Sequence, residues 1–290
     1  MKNILSAFLL LIGISLSAEK IPAYFKSNEK FSDLNSTTEE IKANIKSSGF
    51  FVLGEYSPSD KSNQKVLTFT SNELKKFSLN FEDRGALGAV LRVSLIENKG
   101  KTTVSIANPY YMFNAYWGKS ANASQKAEMK KLSNKALTII GGNSVKFGGE
   151  LSEDELAEYQ YKMMMPYFTD PVELKEYSSF AEGVAKIEAN LKTGKGNTKL
   201  VYKLKFSGKD IAVYGVALKG NLGESNFLPK IGEDQIAALP YEIILQGKEA
   251  TMLHGKYRLA LYWPELSMGQ FMKIMSTPGD IEEALEAVCK

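Results

Sequence analysis

The chain contains one cysteine, Cys289, and one histidine, His254. A single thiol rules out an internal disulfide, so the folded state must depend on its packed core. A single imidazole excludes zinc sites built on two histidines and leaves nucleophile–base catalysis one histidine as base. Because Cys289 is the penultimate residue, we expect it in a frayed tail or at a helix end, or in a bridge between two copies.

Runs of like charge are also absent. The chain has 36 Lys and Arg against 33 Asp and Glu, a formal charge of +3, and the two signs are interspersed. No block of five basic residues occurs, which argues against a nucleic-acid partner. Beyond the N-terminus, no apolar run approaches the roughly 20 residues of a membrane-spanning helix.

The first 18 residues have the composition of a secretory signal peptide. Lys2 precedes an almost wholly apolar stretch at 4–16, and the small residues Ser17 and Ala18 follow. A retained membrane anchor is the alternative, but this run is shorter than a spanning helix requires. We expect cleavage near Ala18, which leaves a soluble, periplasmic or secreted protein with a formal charge of +2 after loss of Lys2.

The remainder contains an internal repeat. ALGAVLRVSL (86–95) aligns with IAALPYEIIL (236–245), and GKTTVSIANP (100–109) aligns with GKYRLALYWP (255–264). Apolar residues alternate in the same register in both pairs, which is typical of half-buried strands. We therefore predict two units, at 19–145 and 146–290.

Each unit is predicted to contain a strand, a helix, four strands and a helix. In the first unit these are a strand at 21–26, a helix at 37–48, strands at 50–57 and 65–71, a short helix at 72–79, strands at 90–97 and 102–107, and a helix at 119–140. In the second they are a strand at 160–168, a helix at 171–192, strands at 198–206 and 210–218, a short helix near 231–238, strands at 241–252 and 256–262, and helices at 266–276 and 279–288. The pattern predicts an α+β fold, with antiparallel sheets and helices on one face.

Local signals predict where helices begin and which face they bury. Ser36 to Glu39 has capping-box spacing, Asp170-Pro171 is typical of a helix start, and Ser152 to Glu155 can cap a short helix. Apolar residues four positions apart predict a buried stripe on each long helix. These pairs are Ile41 with Ile45 and Ile187 with Leu191.

Two segments carry a family resemblance. EEIKANIKSSGFFVLGEY (39–56) and VLRVSLIENKGKTTVSIANP (90–109) resemble the bacterial DUF302 family, a domain of unknown function. In that family a similar helix leads into a Gly-Phe strand, and a hairpin with a central glycine ends at Asn-Pro. The resemblance implies two tandem copies of an α+β fold of the TATA-binding-protein type. The second copy departs from it with Trp263-Pro264. The resemblance implies no catalytic residues.

Aromatic residues cluster after each predicted hairpin. If exposed, they suit a groove for a small apolar ligand or a surface for another envelope protein. The alternative is a core position with the polar ring tips hydrogen-bonded. The candidates are Tyr110, Tyr111, Tyr116, Trp117, Tyr262 and Trp263.

Methionines suggest a second kind of site. Met268, Met272 and Met275 share one helix face, and with His254 nearby they could bind Cu(I) or haem iron. The alternatives are core packing for the methionines and a turn position for His254. In the predicted strand at 160–168, consecutive Met163 to Met165 would point to alternate faces.

The leading hypothesis is therefore an exported, non-catalytic ligand-binding or protein-interaction module without a resident cofactor. A periplasmic Cu(I)- or haem-binding protein is the first alternative. A carboxylate-based hydrolase is the second, and it rests only on the abundance of acids such as Glu153, Asp154 and Glu155, which we expect on a solvated helix start.

Overall fold

The computed structural model describes residues 19–290, so the predicted signal peptide lies outside the described residues. Within this range, eleven strands form two antiparallel sheets and ten α-helices pack with them. The fold class is α+β, as the sequence predicts. No helix between residues 19 and 290 has the length and apolar character needed to cross a membrane.

The first unit contains the six-stranded sheet. Its elements in chain order are β1 (Lys20–Ser27), α1 (Leu34–Ser47), β2 (Phe51–Tyr56), β3 (Gln64–Thr70), α2 (Asn72–Ser78), β4 (Leu91–Asn98), β5 (Lys101–Ala107), α3 (Pro109–Trp117), α4 (Ala123–Leu137) and β6 (Ser144–Ser152). The strands are ordered β2-β3-β4-β5-β1-β6. The short helix α5 (Glu153–Ala157) follows.

The second unit contains the five-stranded sheet. Its elements are β7 (Val172–Glu176), α6 (Phe180–Thr193), β8 (Thr198–Lys205), β9 (Ile211–Leu218), α7 (Glu224–Ile231), β10 (Tyr241–Gln246), β11 (Glu249–Met252), α8 (Gly255–Tyr262), α9 (Met268–Lys273) and α10 (Thr277–Cys289). Its strand order, β8-β9-β10-β11-β7, is that of β2-β3-β4-β5-β1 in the first unit.

Two short 3-10 segments make contacts between the units. Residues Gly85–Ala89 of the first unit contact β9 and β10, and residues Ile236–Ala238 of the second contact β4 and β5. Both segments are fully buried along their length. Each unit thus supplies part of the cover for the other's central strands.

Several local predictions are confirmed. Ile41 and Ile45 on α1 and Ile187 on α6 are completely buried, and Leu191 is nearly so, as their four-residue spacing predicts. Ser152 and Glu155 form the predicted capping box, in which the Ser152 side chain accepts from the Glu155 N–H. These features depend on residues within one helical turn, so sequence spacing is enough to find them.

Helix starts were less accurately predicted. Asp33, not Ser36, caps α1, because its carboxylate accepts from the N–H groups of Asn35 and Ser36, both at 3.0 Å. In the segment predicted as one helix at 119–140, α4 begins only at Ala123, after an Asn122 cap. A separate helix, α3, precedes it, with Pro109 in its first turn.

The start of the second unit was predicted incorrectly. Residues 160–168 form turns instead of a strand, and residues 172–176 form β7 where a helix was expected. The Asp170 carboxylate accepts from the Tyr167 N–H at 2.9 Å, so Asp-Pro closes a turn here. The helix begins at Phe180, where Ser179 caps it by accepting from the Glu182 N–H.

The predicted strand at 256–262 is the helix α8. Every residue from Tyr257 to Tyr262 is buried, and a short segment buried on all sides has no periodicity that separates strand from helix. The alignment of Gly100 with Gly255 is therefore wrong. The equivalent hairpin turn contains Gly247, which has a positive φ of 60°.

The boundary between the units also differs from expectation. Residue 145 lies inside β6, which pairs with β1 from Lys20 to Ser27. The first sheet therefore extends to Ser152 because β6 completes its edge. A connecting segment then leads to β7.

Candidate functional site

Helices α3 and α8 meet at the centre of the molecule through reciprocal contacts. The Tyr111 hydroxyl donates to the Leu261 carbonyl at 3.0 Å, and the Tyr257 hydroxyl donates to the Ala115 carbonyl at 3.2 Å. Tyr111 and Tyr257 are 146 positions apart, as are Ala115 and Leu261. Such exchange between equivalent positions defines an approximate local twofold axis.

Other pairs at the same separation follow this symmetry. The hydroxyls of Tyr116 and Tyr262 lie 3.1 Å apart. Each tryptophan indole N–H donates to a glycine carbonyl in its own unit: Trp117 to Gly85 at 3.1 Å and Trp263 to Gly232 at 3.2 Å. The buried hydroxyl and indole N–H groups are therefore hydrogen-bonded, the tyrosines across the interface and the tryptophans within their own units.

A charged cluster lies in the same interior. Arg92 on β4 forms an ion pair with Glu242 on β10, and Arg258 on α8 approaches the second Glu242 oxygen at 3.2 Å. The Tyr202 hydroxyl also donates to Glu242, at 2.9 Å. All three charged side chains are at most 3% exposed. One carboxylate thus holds two buried guanidinium groups across the two units.

This cluster is not among the predicted sites, although the sequence contains a signal for it. Arg92 and Glu242 occupy the same position in the aligned segments 86–95 and 236–245. A charged residue among buried strand positions in both segments is unusual, since charged groups are rarely buried unless paired. The pairing itself is not visible in the sequence.

A cavity of about 390 Å³ opens beside α3 and α8, where the two units meet. Its volume lies in the range that takes a small molecule. Six aromatic side chains line it: Phe81, Tyr116, Tyr159, Tyr167, Phe168 and Tyr257. Polar residues also line it: Asn80, Glu82, Asp83, Lys119, Ser120, Glu158 and Thr169.

Phe168 in the connecting segment forms one wall of this cavity. Its ring stacks on Tyr116 with centroids 5.0 Å apart and lies 6.3 Å from the Tyr257 ring. The Arg84 guanidinium lies 5.3 Å from the Phe168 ring centroid and donates to the Phe168 carbonyl at 2.9 Å. These contacts hold the connecting segment against both units.

The charges around the cavity are only partly compensated. Lys119 pairs with Glu158 at 3.0 Å, and Arg84 pairs with Asp83 at 2.8 Å. Glu82 is exposed and has no ion-pair partner within residues 19–290. The three carboxylates of the lining, Glu82, Asp83 and Glu158, are thus accompanied by two cations, Lys119 in the lining and the adjacent Arg84.

Three tyrosine hydroxyls of the cavity wall are neutral. Burial raises the pKa of Tyr116 and of Tyr257 well above its ordinary value. Burial likewise raises the pKa of Tyr159. At neutral pH these three rings therefore carry no charge.

One of the six predicted aromatic residues, Tyr116, lines this cavity. Tyr110 lines a separate cavity of about 160 Å³, where its hydroxyl donates to Glu153 at 2.5 Å, and burial raises its pKa to about 12. The other four lie in the core, with the polar tips described above. These are Tyr111, Trp117, Tyr262 and Trp263.

The candidate metal ligands occupy different environments. Met268 and Met272 on α9 are 51% and 57% exposed, and Met275 is 61% exposed, so core packing does not explain them. His254 is not in a hairpin turn but caps α8, where its Nδ1 accepts from the Lys256 N–H at 3.2 Å. Burial lowers the pKa of His254, which favours its neutral form.

Two further findings concern sulfur-containing residues and metals. Met163 and Met164 are exposed in a turn, not on a strand. Between residues 19 and 290, no three His, Cys, Asp or Glu side chains form a group that could hold a metal ion.

Cys289 is neither in a frayed tail nor available for a bridge between copies. It ends α10 in the core, and its carbonyl accepts from the Tyr177 hydroxyl at 2.7 Å. Burial raises the pKa of its thiol to about 12, which suppresses the reactive thiolate.

Solved structures of known proteins include a distant likeness to this chain. No protein-family model matches the chain, and no curated protein matches it. A solved structure described as that of an uncharacterized conserved DUF302 protein from Bacillus stearothermophilus shares 16% identity, with a TM-score of 0.35. The match covers 41% of this chain and 95% of that one. At this TM-score the likeness supports no functional assignment.

Proposed function

We propose that the protein is a non-catalytic binding protein that takes a small apolar ligand in the cavity between its two units. The observation that carries this proposal is the cavity of about 390 Å³ with six aromatic side chains in its wall. A mostly apolar concavity with a few polar groups is typical of small-molecule sites. With the signal peptide at 1–18 removed, the protein would act in the periplasm or outside the cell, where another envelope protein could exchange ligand with it.

We also propose that the two units are tandem copies of one DUF302-like unit. Three features support this: the similar segments 86–95 and 236–245, the common strand order of the two sheets, and the reciprocal bonds between residues 146 positions apart. A duplication of this kind creates a new concavity where the copies meet, without any change inside either core.

The cavity lining favours binding over hydrolysis. His254, the chain's one histidine, is not among the lining residues. A carboxylate-based hydrolase would need two acids free to act on a substrate, whereas Asp83 and Glu158 form salt bridges with Arg84 and Lys119. We therefore rank the hydrolase below a binding protein.

Filling the cavity should weaken ligand binding. We expect N-phenyl-1-naphthylamine, a neutral apolar dye, to bind one-to-one with enhanced fluorescence. Ser120 is an exposed lining residue. Ser120→Trp should lower the affinity for the dye by about tenfold or more because the indole occupies the cavity. Fluorescence titration of the full chain measures this.

The matched control is Ser207→Trp, which adds the same side chain at an exposed turn outside the cavity. Its dye affinity should equal that of the unsubstituted protein. Equal affinities for all three proteins, or no dye binding at all, would contradict the proposed function.

A Cu(I)- or haem-binding protein is a second candidate, favoured by the exposure of Met268, Met272 and Met275. Thioethers are soft ligands that prefer Cu(I), and two of these are one turn apart on α9. His254 retains Nε2 for a ligand, since Nδ1 is used in the cap.

Anaerobic titration with Cu(I), and a parallel titration with haem, should distinguish this candidate. If the site exists, Met268→Leu with Met272→Leu lowers the affinity by about tenfold or more, because leucine keeps the volume and removes the ligand. Met163→Leu with Met164→Leu is the control, at two methionines that are more exposed still. Uptake of neither group, or equal loss in both variants, would rule the site out.

A further inference from the structure

We propose that the ligand of the cavity is an organic monocation, an ammonium group carried on an apolar or aromatic body. This inference rests on the proposed binding function and names the class of ligand. Two observations point to it: the aromatic wall and the uncompensated negative charge at the cavity's edge.

The aromatic wall brings several rings to the edge of one concavity. Phe168 and Tyr116 stack, and Tyr159 meets Tyr257 edge to face with centroids 5.8 Å apart. Aromatic groups arranged around a concavity attract ammonium ions through the negative potential of their faces. The Arg84 guanidinium, 5.3 Å from the Phe168 centroid, already uses this attraction.

The edge of the cavity adds a net negative charge. Asp83 and Glu158 are offset by Arg84 and Lys119, which leaves the Glu82 carboxylate without a partner among the described residues. A concave site with charge of one sign attracts ligands of the opposite sign. A monocation would balance this charge, whereas an anion would be repelled by it.

The hydroxyls of Tyr116 and Tyr257 do not change the net charge at the edge of the cavity. Tyr116 and Tyr257 remain protonated at neutral pH because burial raises the pKa of each. The body of the ligand then contacts neutral aromatic surface, and only its charged end requires a carboxylate. A small amphiphilic amine or quaternary ammonium compound has this distribution.

Two isosteric probes test the inference. Phenyltrimethylammonium and tert-butylbenzene have nearly the same shape and differ by one positive charge. Ligand-observed NMR titration of the full chain should give about tenfold tighter binding for the cation, the size of a favourable cation–π and charge contribution. Glu82→Gln should reduce that advantage about threefold while leaving tert-butylbenzene unchanged.

The controls separate this inference from the function on which it rests. Glu40→Gln, a charge removal at an exposed position on α1, should change neither affinity. If the two probes bind equally and Ser120→Trp abolishes binding of both, the ligand is not selected for positive charge, but the proposed binding function is retained. Binding of neither probe, together with dye binding indifferent to Ser120→Trp, would overturn both. A cation advantage unaffected by Glu82→Gln would refute the assignment to this cavity edge.

Discussion

Replacing Glu242 with alanine is expected to lower the free energy of unfolding by about 3–5 kcal/mol, the usual cost of leaving a buried charge without its partner. Glu242 accepts from Tyr202 and forms ion pairs with Arg92 and Arg258. All of these contacts lie in the interior, so water cannot replace the lost carboxylate. Two guanidinium groups would then face each other in the core.

Urea denaturation followed by circular dichroism measures this effect. Glu40→Ala, at an exposed helix position, should change stability by less than about 0.5 kcal/mol. In the Arg92→Ala background, Glu242→Ala should lower the free energy of unfolding by less than in the unsubstituted protein, since only the Arg258 guanidinium then loses its partner. A loss below about 1 kcal/mol for Glu242→Ala would contradict the importance of the ion pairs.

The second large effect concerns pH. Glu224 on α7 is buried against the first unit, where it accepts from the Tyr56 hydroxyl at 3.1 Å and the Ser59 N–H at 3.3 Å. It also accepts from the Leu218 N–H at 3.2 Å. Burial raises the pKa of Glu224 from 4.5 to about 7, although these hydrogen bonds and Lys219 oppose the shift.

The direction of the pH dependence follows from this raised pKa. Below pH 4.5 both states hold the proton, so Glu224 adds no pH dependence there. Between 4.5 and about 7 the unfolded chain ionises while the folded chain keeps the proton, so stability falls as pH rises. Above about 7 the loss is complete, at about 3 kcal/mol.

Glu224→Gln should remove this loss because glutamine imitates the protonated acid. We expect the variant to match the unsubstituted protein near pH 4 and to exceed its stability by about 3 kcal/mol at pH 8. The difference between the two proteins isolates Glu224 from all other titrating groups. A difference that stays constant across this pH range, measured by urea denaturation, would show that Glu224 does not titrate as described.

Some elements were predictable because their signals are local. The buried stripes of α1 and α6 follow from apolar residues four positions apart, and the start of α5 follows from the Ser152 capping box. Where two interpretations share one local pattern, prediction failed. Asp170-Pro171 suits a turn and a helix start equally, and the segment 256–262, buried from Tyr257 to Tyr262, suits a strand and a helix equally.

The aromatic and methionine residues illustrate the same limit at the level of the site. Tyr116 and Trp117 are neighbours in α3, yet one lines the cavity and the other is buried against Gly85. The regular spacing of Met268, Met272 and Met275 is compatible with a buried helix face, but all three are exposed, and Met275 lies beyond the end of α9 at Lys273.

The sequence by itself determined the α+β fold class, the antiparallel pattern of strands and the buried stripes of the long helices. These depend on period and composition within a few residues. Only the tertiary structure decided that Glu242 holds Arg92, that Tyr111 and Tyr257 bond reciprocally, and that a cavity opens beside them. Those contacts join positions as many as 150 apart, and no local periodicity records which distant side chains will share one interior.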